Sequence, residues 1–381
     1  MNTTSACNIN LWLNHNPGLQ PEVVAGLWDA DRDAMPHDRI LSSIVVTHMD
    51  QFHPALAQAS HCEVEGHFDT AQSYVQWALG FATKHGINTI LPSRFSEALI
   101  ANKQAFEAQG VTILHACGEQ ELAVAENRPA LYRCLTEHGE GAWVPKHAIW
   151  KDNYSVRLFE VVQGLKETSC ALTDDSFCVL PATGQLSDRL FKFVDHVDPW
   201  HALEASPERV ITIGDFGQMA HSHALKLKMN NEWVVMKHMP NVTFTVDCLA
   251  WNGELLTQVS RVEDSQGRPG QVVLDNPDLK SHVKCIANLF KMTGVFSVKF
   301  LKDSDGSLKV LCVNTGLPGS IQMSALAGVA LPWLWLKLHA THGYYRKIPT
   351  AVAGLRLDQE MHSVVYRTPL KTMVEMSRSG I

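Results

Sequence analysis

The stretch Thr243-Phe-Thr-Val-Asp-Cys-Leu-Ala-Trp-Asn-Gly253 carries the strongest fold signal in this chain of 381 residues. Its first part is rich in β-branched and aromatic side chains, which favour a strand. Asn252-Gly253 follows, and this pair suits the backbone of a two-residue hairpin turn. The run Leu255–Arg261 then has the same β-type composition. The stretch therefore predicts two strands joined by a tight turn.

A second hairpin is predicted further along the chain. Val295–Phe300 and Leu308–Val313 flank the polar loop Lys302–Gly306, which is typical of a turn. A helical pattern near Leu279–Thr293 separates the two hairpins. After them, Ser324–His339 is apolar almost all round, which predicts one buried helix. The part of the chain beyond residue 207 is therefore predicted to be rich in β-structure.

The first part of the chain has a different pattern, in which short apolar runs alternate with helical segments. Helices are predicted over Thr70–His85 and Glu97–Gln109, and Gly110 is placed to end the second. Such alternation is typical of a parallel α/β sheet, here of about 115 residues. The predicted strands of this sheet are Ile9–Leu13, Ile44–Thr47, Thr89–Leu91 and Val111–Leu114.

From about Cys117 the pattern changes again and predicts a small α+β lobe. Helices are expected near Pro129–His138 and Val156–Lys166. Strands are expected near Trp143–Pro145 and at Phe177–Leu180.

Composition argues against several classes of protein. Hydrophobic residues make up 45% and charged residues 19%, which is typical of a globular protein. The net charge of −7, without any long Lys/Arg run, argues against nucleic acid as a partner. We find neither a signal-peptide pattern nor an apolar run of about 18 residues, so we expect no export and no membrane span. Nine scattered cysteines without a Cys-x-x-Cys pair favour reduced thiols in the cytoplasm.

Two segments resemble the ATP-grasp superfamily. Thr243–Gly253, followed by Arg261, is similar to a strand pair of its carbamoyl-phosphate-synthase-like members. Gly294–Phe300, Val313-Asn314 and Ser324–Gly328 together resemble a second segment of the same members.

The resemblance implies a fold of the α/β and α+β classes, with a pre-ATP-grasp Rossmann-like domain followed by a two-lobed ATP-grasp fold. Leu11–His15 and Leu91–Arg94 also resemble a group of bacterial ATP-grasp proteins, without indicating a substrate. The expected domains are 1–117 for the pre-ATP-grasp domain, 118–205 for the small lobe, and 206–381 for the large β-rich lobe with carboxy-terminal helices and a tail.

The resemblance also implies a ligase site that holds ATP and Mg²⁺. Such enzymes phosphorylate a carboxylate and let an amine or thiol attack the acyl phosphate, and Mg²⁺ bound by oxygen ligands neutralises the charge. The Glu-x-Asn pattern of the family reads Cys312-Val-Asn314 here, and its partner position is Lys299. Sulfur binds Mg²⁺ weakly and an ammonium repels it. Asn314 is the remaining candidate metal ligand, so ATP is kept as a candidate cofactor and Mg²⁺ is disfavoured.

The nucleotide-binding positions are altered as well. Leu180 stands where the resemblance implies a phosphate-binding Lys, and the loop Thr183–Arg189 keeps a single Gly. At the adenine hinge, Lys237 and Thr243 replace two carboxylates, while Met239 can still offer its backbone to adenine. The predicted cofactor-binding residues are Arg128, Lys237, Met239 and Thr243.

Arg261 and Lys299 are the predicted catalytic residues. Arg261 either holds a substrate carboxylate or phosphate, or pairs with an acid such as Glu263 on a solvated face. Arg128 has the same two interpretations. Lys299, together with Lys237, either supplies fixed positive charge in place of a metal or marks a vestigial cleft.

Two other features are interpreted as structural. Cys312 is expected to fill the core as a small hydrophobe, and not to act as a nucleophile. His221-Ser-His223 has a spacing that suits a strand, and no third ligand for a metal lies nearby in the sequence.

Three functions are open at this stage. The first is a catalytically impaired ATP-grasp protein that binds a ligand or a protein partner, beside active biosynthetic enzymes. The second is a working carboxylate–amine or carboxylate–thiol ligase that uses Arg128, Lys237, Arg261 and Lys299 in place of magnesium. The third binds a phosphorylated metabolite between Lys237 and Lys299. A small anionic ligand or nucleotide is the expected partner, and a homodimer is left open.

Overall fold

A computed structural model of the protein describes residues 8–151, 155–168, 176–183, 190–197, 209–227, 232–239, 243–263 and 270–358. The chain forms two compact units. Unit 1 consists of Met1–Glu119, Val246–Ser297 and Thr315–Ile381, and unit 2 consists of Gln120–Thr245 and Val298–Asn314. The division into three domains stays a prediction. Among the described helices, none has the length and apolar character that a membrane span requires.

The first sheet has five strands, all parallel: β1 (Ile9–Leu13), β2 (Leu41–His48), β3 (His61–Val64), β4 (Thr89–Leu91) and β5 (Thr112–Ile113). Their order is β3-β2-β1-β4-β5. The accompanying helices are α1 (Pro21–Asp33), α2 (Ala71–Lys84), α3 (Ser96–Ala101) and α4 (Lys103–Glu107), with 3₁₀ turns at Pro36–Asp38 and Pro54–Gln58. The predicted parallel α/β sheet is confirmed.

The single helix predicted over Glu97–Gln109 is wrong, because the segment forms α3 and α4. Asn102 lies between them with φ −102° and ψ 14°, outside the helical region. Its side-chain amide donates to the carbonyl of Ala98 at 2.8 Å. Asn side chains compete in this way with the backbone hydrogen bonds of a helix.

The second sheet consists of β6 (His147–Trp150), β7 (Phe177–Pro181), β8 (Phe191–Phe193), β9 (Arg209–Ile211) and β10 (Trp233–Lys237), in the order β6-β10-β7-β8-β9. The helices in this part of the chain are α5 (Glu119–Ala125), α6 (Arg128–Glu137), α7 (Ser155–Thr168) and α8 (Ile213–Leu227). A hydrophobic cluster of strand and helix residues includes Phe216, which is fully buried.

Two local predictions in this region are wrong. The predicted strand Trp143–Pro145 is a 3₁₀ turn at Gly141–Trp143 and an irregular segment, and the strand begins at His147. Pro145 lacks the N–H that a ladder needs, which explains the later start. His221-Ser-His223 lies in α8 instead of a strand, because the buried residues Phe216 and Ala220 follow the helical period.

The third sheet has six strands: β11 (Thr243–Trp251), β12 (Glu254–Glu263), β13 (Gln271–Leu274), β14 (Gly294–Lys302), β15 (Leu308–Asn314) and β16 (Arg356–Leu357). Their order is β15-β14-β11-β12-β13-β16. The helices here are α9 (Pro277–Leu289), α10 (Gln322–Leu326) and α11 (Leu331–Ala340). Asn252 and Gly253 have φ of 51° and 82°, the left-handed values of the predicted tight turn between β11 and β12.

The one helix predicted over Ser324–His339 is also wrong, because the chain forms α10 and α11 with a break between them. Gly328 has φ 91°, a left-handed backbone that ends helices and that glycine adopts freely. The burial predicted for this segment is confirmed at Trp333 and Trp335. The indole N–H of Trp333 donates to the buried carboxylate of Asp31 at 3.0 Å.

One face of α2 carries a row of aromatic rings, which ends at the residue that follows the helix. Tyr74, Trp77, Phe81 and His85 are three or four residues apart and therefore lie on one side of the helix. The centroids of successive rings in this row are 5.4, 5.0 and 4.4 Å apart. Trp12 of β1 packs against the row, 4.7 Å from Phe81. The row attaches α2 to the first sheet.

Gly294 provides a test of the packing in unit 1. Its φ is 131°, and an added Cβ would occupy the position of the buried indole of Trp335. We expect Gly294→Ala to lower the free energy of unfolding by about 2–4 kcal/mol, through overpacking and backbone strain. Urea denaturation followed by circular dichroism measures the change.

The matched control is Gly80→Ala. Gly80 lies exposed in α2, and an added Cβ there meets no atom within 4 Å. Alanine is favoured over glycine within a helix by roughly 0.5–1 kcal/mol, so the control should be neutral or stabilising. A similar loss of stability in both variants would contradict this account of Gly294.

Candidate functional site

Polar side chains gather at the carboxyl edge of the first sheet, in unit 1. Asn14 and His15 follow β1, His48 ends β2, Glu65 follows β3, and Arg94 lies shortly after β4. In open parallel sheets ligands bind at this edge, next to the point where the strand order reverses. The order β3-β2-β1-β4-β5 reverses beside β1. We therefore treat these residues, named here the carboxyl-edge cluster, as a candidate ligand site.

Glu65 is the centre of the carboxyl-edge cluster, and its side chain is buried. The Arg94 guanidinium donates to Oε2 at 2.9 Å. The hydroxyl of Thr47 and the backbone N–H of His15 donate to Oε1 at 2.6 and 2.7 Å. A buried carboxylate is costly unless donors satisfy it in this way. The network therefore holds the ends of β1, β2 and the segment after β4 in fixed positions.

Arg94 is held between aromatic rings as well. Its guanidinium carbon lies 5.4, 5.5 and 5.3 Å from the ring centroids of Phe68, Tyr74 and Phe95, within the range of cation–π contacts. Phe95 has φ 52°, a left-handed backbone that strains a residue with a bulky side chain. Asn14 donates to the Tyr74 hydroxyl and to the Arg94 carbonyl, both at 2.8 Å. Strained residues that packing holds in place are common at functional sites.

Three imidazole rings lie close together beside this network. The centroids of His15 and His48 are 4.2 Å apart, and those of His48 and His53 are 3.8 Å apart. Burial lowers the pKa of His15 and of His53, and the neighbouring His48 ring lowers each pKa further. Both rings are therefore neutral near pH 7. Within the described residues, the buried atoms His48 Nε2 and His53 Nδ1 have no hydrogen-bond partner.

Part of this cluster could be identified from the sequence, although without a role. Leu11–His15 and Leu91–Arg94 were noted as segments of resemblance, whereas His48, His53 and Glu65 were missed. The signal that could have found these residues is their position directly after predicted strands, because polar residues that follow parallel strands meet at one edge of the sheet. Glu65 could not be found in this way because it follows β3, a strand that is not predicted from the sequence.

Arg261, a predicted catalytic residue, forms a buried ion pair in unit 1. Its Nη2 lies 2.5 Å from Oδ2 of Asp247, and both side chains are fully buried. Gln271 accepts a hydrogen bond from the same guanidinium, and the Ser324 hydroxyl donates to Asp247 Oδ2 at 2.7 Å. The acid beside Arg261 is thus Asp247 in the core, and not Glu263 on a solvated face. Its catalytic role stays a prediction.

Arg128, a predicted nucleotide contact, begins α6 in unit 2. Its Nη1 donates to the carbonyl of Pro181 at 2.7 Å, and its backbone N–H donates to the carbonyl of Ala182 at 2.8 Å. The Asn127 side chain caps α6 by accepting from the N–H of Ala130, which fixes this helix end. Among the described residues, its buried Nε and Nη2 have no partner. Three N–H groups on these two nitrogens thus lack an acceptor within the described part of the chain.

Lys237, Met239 and Thr243, the other predicted nucleotide contacts, follow one another along unit 2. Lys237 ends β10, and its ammonium lies 3.9 Å from Oδ1 of Asp303 and 3.4 Å from Oγ of Ser304. Met239 is buried two residues later, and Thr243 is half-buried at the start of β11.

The structure keeps Arg128 and Lys237 apart. Lys237 pairs with Phe177 at one end of β7, whereas Arg128 contacts Pro181 at the other end. Four residues of strand span about 13 Å. The two residues therefore lie beside opposite ends of β7.

Lys299 and Asn314 lie on the neighbouring strands β14 and β15, and both side chains are half-buried. Cys312 is also half-buried on β15, which corrects its interpretation as a filler of the core. An ammonium, a thiol and a single amide oxygen make a poor donor set for Mg²⁺, which requires oxygen ligands. The residues present do not fit a magnesium site. Of the loop Thr183–Arg189, all but Thr183 lie outside the described residues.

The three sheets and their connections define the class of this protein: the chain has the ATP-grasp fold. Residues 229–362 match a protein family described as "ATP-grasp in the biosynthetic pathway with Ter operon". No curated protein matches the chain.

Solved structures of the same fold cover most of the chain at low identity. The biotin carboxylase domain of the Hydrogenobacter thermophilus 2-oxoglutarate carboxylase, in complex with MgADP, ADP and bicarbonate, is 12% identical with a TM-score of 0.58, over 90% of this chain and 71% of its own. The L-amino acid ligase from Bacillus licheniformis is 13% identical with a TM-score of 0.56, over 88% and 76%. An ADP complex of the N5-carboxyaminoimidazole ribonucleotide synthetase purK is 12% identical with a TM-score of 0.57, over 88% and 77%.

The buried pair Asp247–Arg261 can be tested by removing one charge. We expect Asp247→Ala to lower the free energy of unfolding by about 3–5 kcal/mol, because the guanidinium would remain buried without its counter-ion. The control is Asp29→Ala, since Asp29 is 57% exposed and pairs with Arg32 at the surface. Its loss should stay below about 1 kcal/mol. Urea denaturation of both variants measures the difference, and equal losses would contradict a special role of the buried pair.

The neutral histidines of the carboxyl edge predict a pH dependence. The folded-state pKa values of His15 and His53 lie below the ordinary value of 6.5, so the unfolded chain binds protons first as the pH falls. The free energy of unfolding should therefore decrease between about pH 7.5 and 5.5. In His53→Gln this decrease should be smaller, because the variant lacks one of the two histidines whose pKa the fold lowers. Urea denaturation at both pH values measures it.

The control for this pH dependence is His67→Gln, since His67 is 81% exposed. This variant should follow the unaltered protein at both pH values. An unchanged pH dependence in His53→Gln would show that the ring of His53 is not held neutral by the fold.

Proposed function

We propose that this ATP-grasp-fold protein does not catalyse ligation and acts by binding a small anionic ligand, a nucleotide or a protein partner. One observation carries the proposal: β14 and β15 present Lys299 and Cys312 at the two positions where the resemblance implies carboxylate or amide ligands. Asn314 is the only oxygen ligand left of the three. Phosphorylation of a carboxylate requires a cation that neutralises the charge of the triphosphate. Lys299, Cys312 and Asn314 together are a poor ligand set for that cation, Mg²⁺.

The apolar replacement at Leu180 supports the same proposal. Leu180 is fully buried in the middle of the second sheet, where it pairs with Val234 on β10. A side chain in this position adds to the core and offers no contact to a phosphate. The phosphate-binding Lys that the resemblance implies is therefore replaced by a group with a structural role. A loss of catalysis with a retained core is the expected pattern for a pseudoenzyme.

The carboxyl-edge cluster supports ligand binding in place of catalysis. It combines a satisfied Glu65–Arg94 pair, a strained Phe95 and buried imidazole atoms, which is a preorganised arrangement. Rigid polar groups of this kind bind a ligand with little ordering cost. The matched family is described as belonging to a biosynthetic pathway, and we infer that this chain serves in such a pathway.

An active ligase is the second candidate, and Arg128 favours it. The guanidinium is buried, and two of its donor atoms have no partner among the described residues. A buried guanidinium with free donors is a suitable contact for a phosphate group. Similar structures are complexes with MgADP and ADP, and one is an L-amino acid ligase. In this alternative Lys237, Arg261 and Lys299 act with Arg128 in place of magnesium.

The assembly and the compartment remain predictions. One similar structure is a biotin carboxylase domain dimer, which supports a homodimer of this chain. A cytoplasmic location rests on the sequence, whose nine cysteines are scattered and include no Cys-x-x-Cys pair.

Calorimetric titration with ATP and with ADP, each with and without millimolar Mg²⁺, tests the proposal. We expect magnesium to change the nucleotide affinity less than about twofold, because the donor set does not suit the ion. We also expect no release of ADP or phosphate when carboxylates and amines are added. Tight binding that depends on Mg²⁺, or turnover, would overturn the proposal and favour the ligase.

A pair of variants tests whether Arg128 contacts a bound nucleotide. If a nucleotide binds, Arg128→Ala should weaken it about tenfold or more through loss of a charge-assisted contact. Arg133→Ala is the control, because Arg133 is exposed on the same helix. Equal effects of the two changes would exclude Arg128 as a phosphate contact. A phosphorylated metabolite in place of ATP would be indicated if Lys237→Ala and Lys299→Ala weaken its binding and nucleotides do not bind.

A further inference from the structure

Two histidines and a glutamate meet at the outer edge of the first sheet, in unit 1. Nε2 of His85 lies 3.2 Å from Oε2 of Glu63, and Nε2 of His61 lies 3.9 Å from the same oxygen. The three ligand atoms all lie within 4.8 Å of one another. In the part of the chain that the structure describes, no other three His, Cys, Asp or Glu side chains meet so closely.

The fold explains why these residues meet. His61 and Glu63 are two apart on β3, so their side chains point to the same face of the sheet. His85 is the residue that follows α2, and its ring lies 4.5 Å from that of His61. The side chains of His61 and Glu63 are 50% and 37% exposed, so this face borders solvent. A metal ion could therefore enter without any rearrangement of the core.

The distances suit a tetrahedral ion. Zn²⁺ binds His nitrogen and carboxylate oxygen at about 2.0–2.2 Å, which places neighbouring ligand atoms about 3.3–3.5 Å apart. The separation between Nε2 of His85 and Oε2 of Glu63, 3.2 Å, is just below this range. Nε2 of His61 must approach Oε2 of Glu63 by about 0.5 Å, which a half-exposed side chain achieves by a small rotation.

Lys84 occupies part of the same space. Its ammonium lies 3.2 Å from Oε2 of Glu63, and its side chain is 63% exposed. An ion pair at such an exposed position is weak, and a divalent ion would displace the ammonium into solvent. Lys84 is therefore a competitor for Glu63 whose removal should favour a metal.

We propose that His61, Glu63 and His85 form a binding site for Zn²⁺, with water at the fourth position. Two imidazoles and one carboxylate are a ligand set that suits zinc and leaves one position open. The bound ion would join the edge strand β3 to the end of α2. This proposal is independent of the proposed function, because none of the three residues belongs to the nucleotide positions or to the carboxyl-edge cluster.

The test is a titration of the chelator-treated full chain with Zn²⁺, followed by calorimetry. We expect one ion per chain with a Kd in the micromolar range or below, and a rise in the melting temperature. His61→Ala, Glu63→Gln and His85→Ala should each weaken binding by about tenfold or more. His61 and Glu63 are accessible at the surface, so these two variants are expected to fold.

Two further variants distinguish a metal site from general binding to surface histidines. His67→Ala should leave zinc binding unchanged, because His67 is exposed and lies outside the group of three. Lys84→Ala should strengthen zinc binding by about two- to fivefold, because the competing ammonium is removed. Zinc binding that persists unchanged in the combined variant of His61, Glu63 and His85 would overturn the proposal. So would a weaker zinc affinity in Lys84→Ala.

Discussion

The buried ion pair between Asp247 and Arg261 constrains the core of unit 1. Its two charges lie on the adjacent strands β11 and β12, and the Gln271 and Ser324 side chains complete the hydrogen bonds. Because an unpaired buried charge is costly, any slip of one strand against the other would be strongly unfavourable. The pair therefore fixes the register of the hairpin and the position of α10. It contributes specificity more than net stability, since burying two charges offsets much of their attraction.

Much of the fold could be predicted from local patterns. The turn at Asn252-Gly253 and the strands of the first sheet depend on residue types and periods that are visible in the sequence. The wrong helix predictions have local causes, which are visible only in the structure. Asn102 divides one predicted helix and Gly328 divides another, and a single glycine or asparagine does not show whether a helix tolerates it. The short strand β3 has too few residues to show a period.

The sites were less predictable than the fold, because they depend on contacts between distant segments. The sequence identified Lys299 and Cys312 as unsuitable for magnesium, since that conclusion requires only residue chemistry. It could not show that the acid beside Arg261 is fourteen residues away and buried. Nor could it show that Glu65 accepts from groups near three other strands, because the sheet order brings these groups together. Residue type indicates what chemistry is available, and topology decides which residues share it.

The aromatic row on α2 has a consequence for spectroscopy. It begins beside the carboxyl edge, where the rings of Phe95 and Tyr74 lie 4.8 Å apart, and it ends at His85. Trp77 lies in the middle, within 5.4 Å of the rings on both sides. Rings at these separations couple their electronic transitions and give strong near-ultraviolet circular dichroism when they are rigid. Changes in ring packing at either end of α2 would therefore alter the near-ultraviolet circular dichroism to which Trp77 contributes.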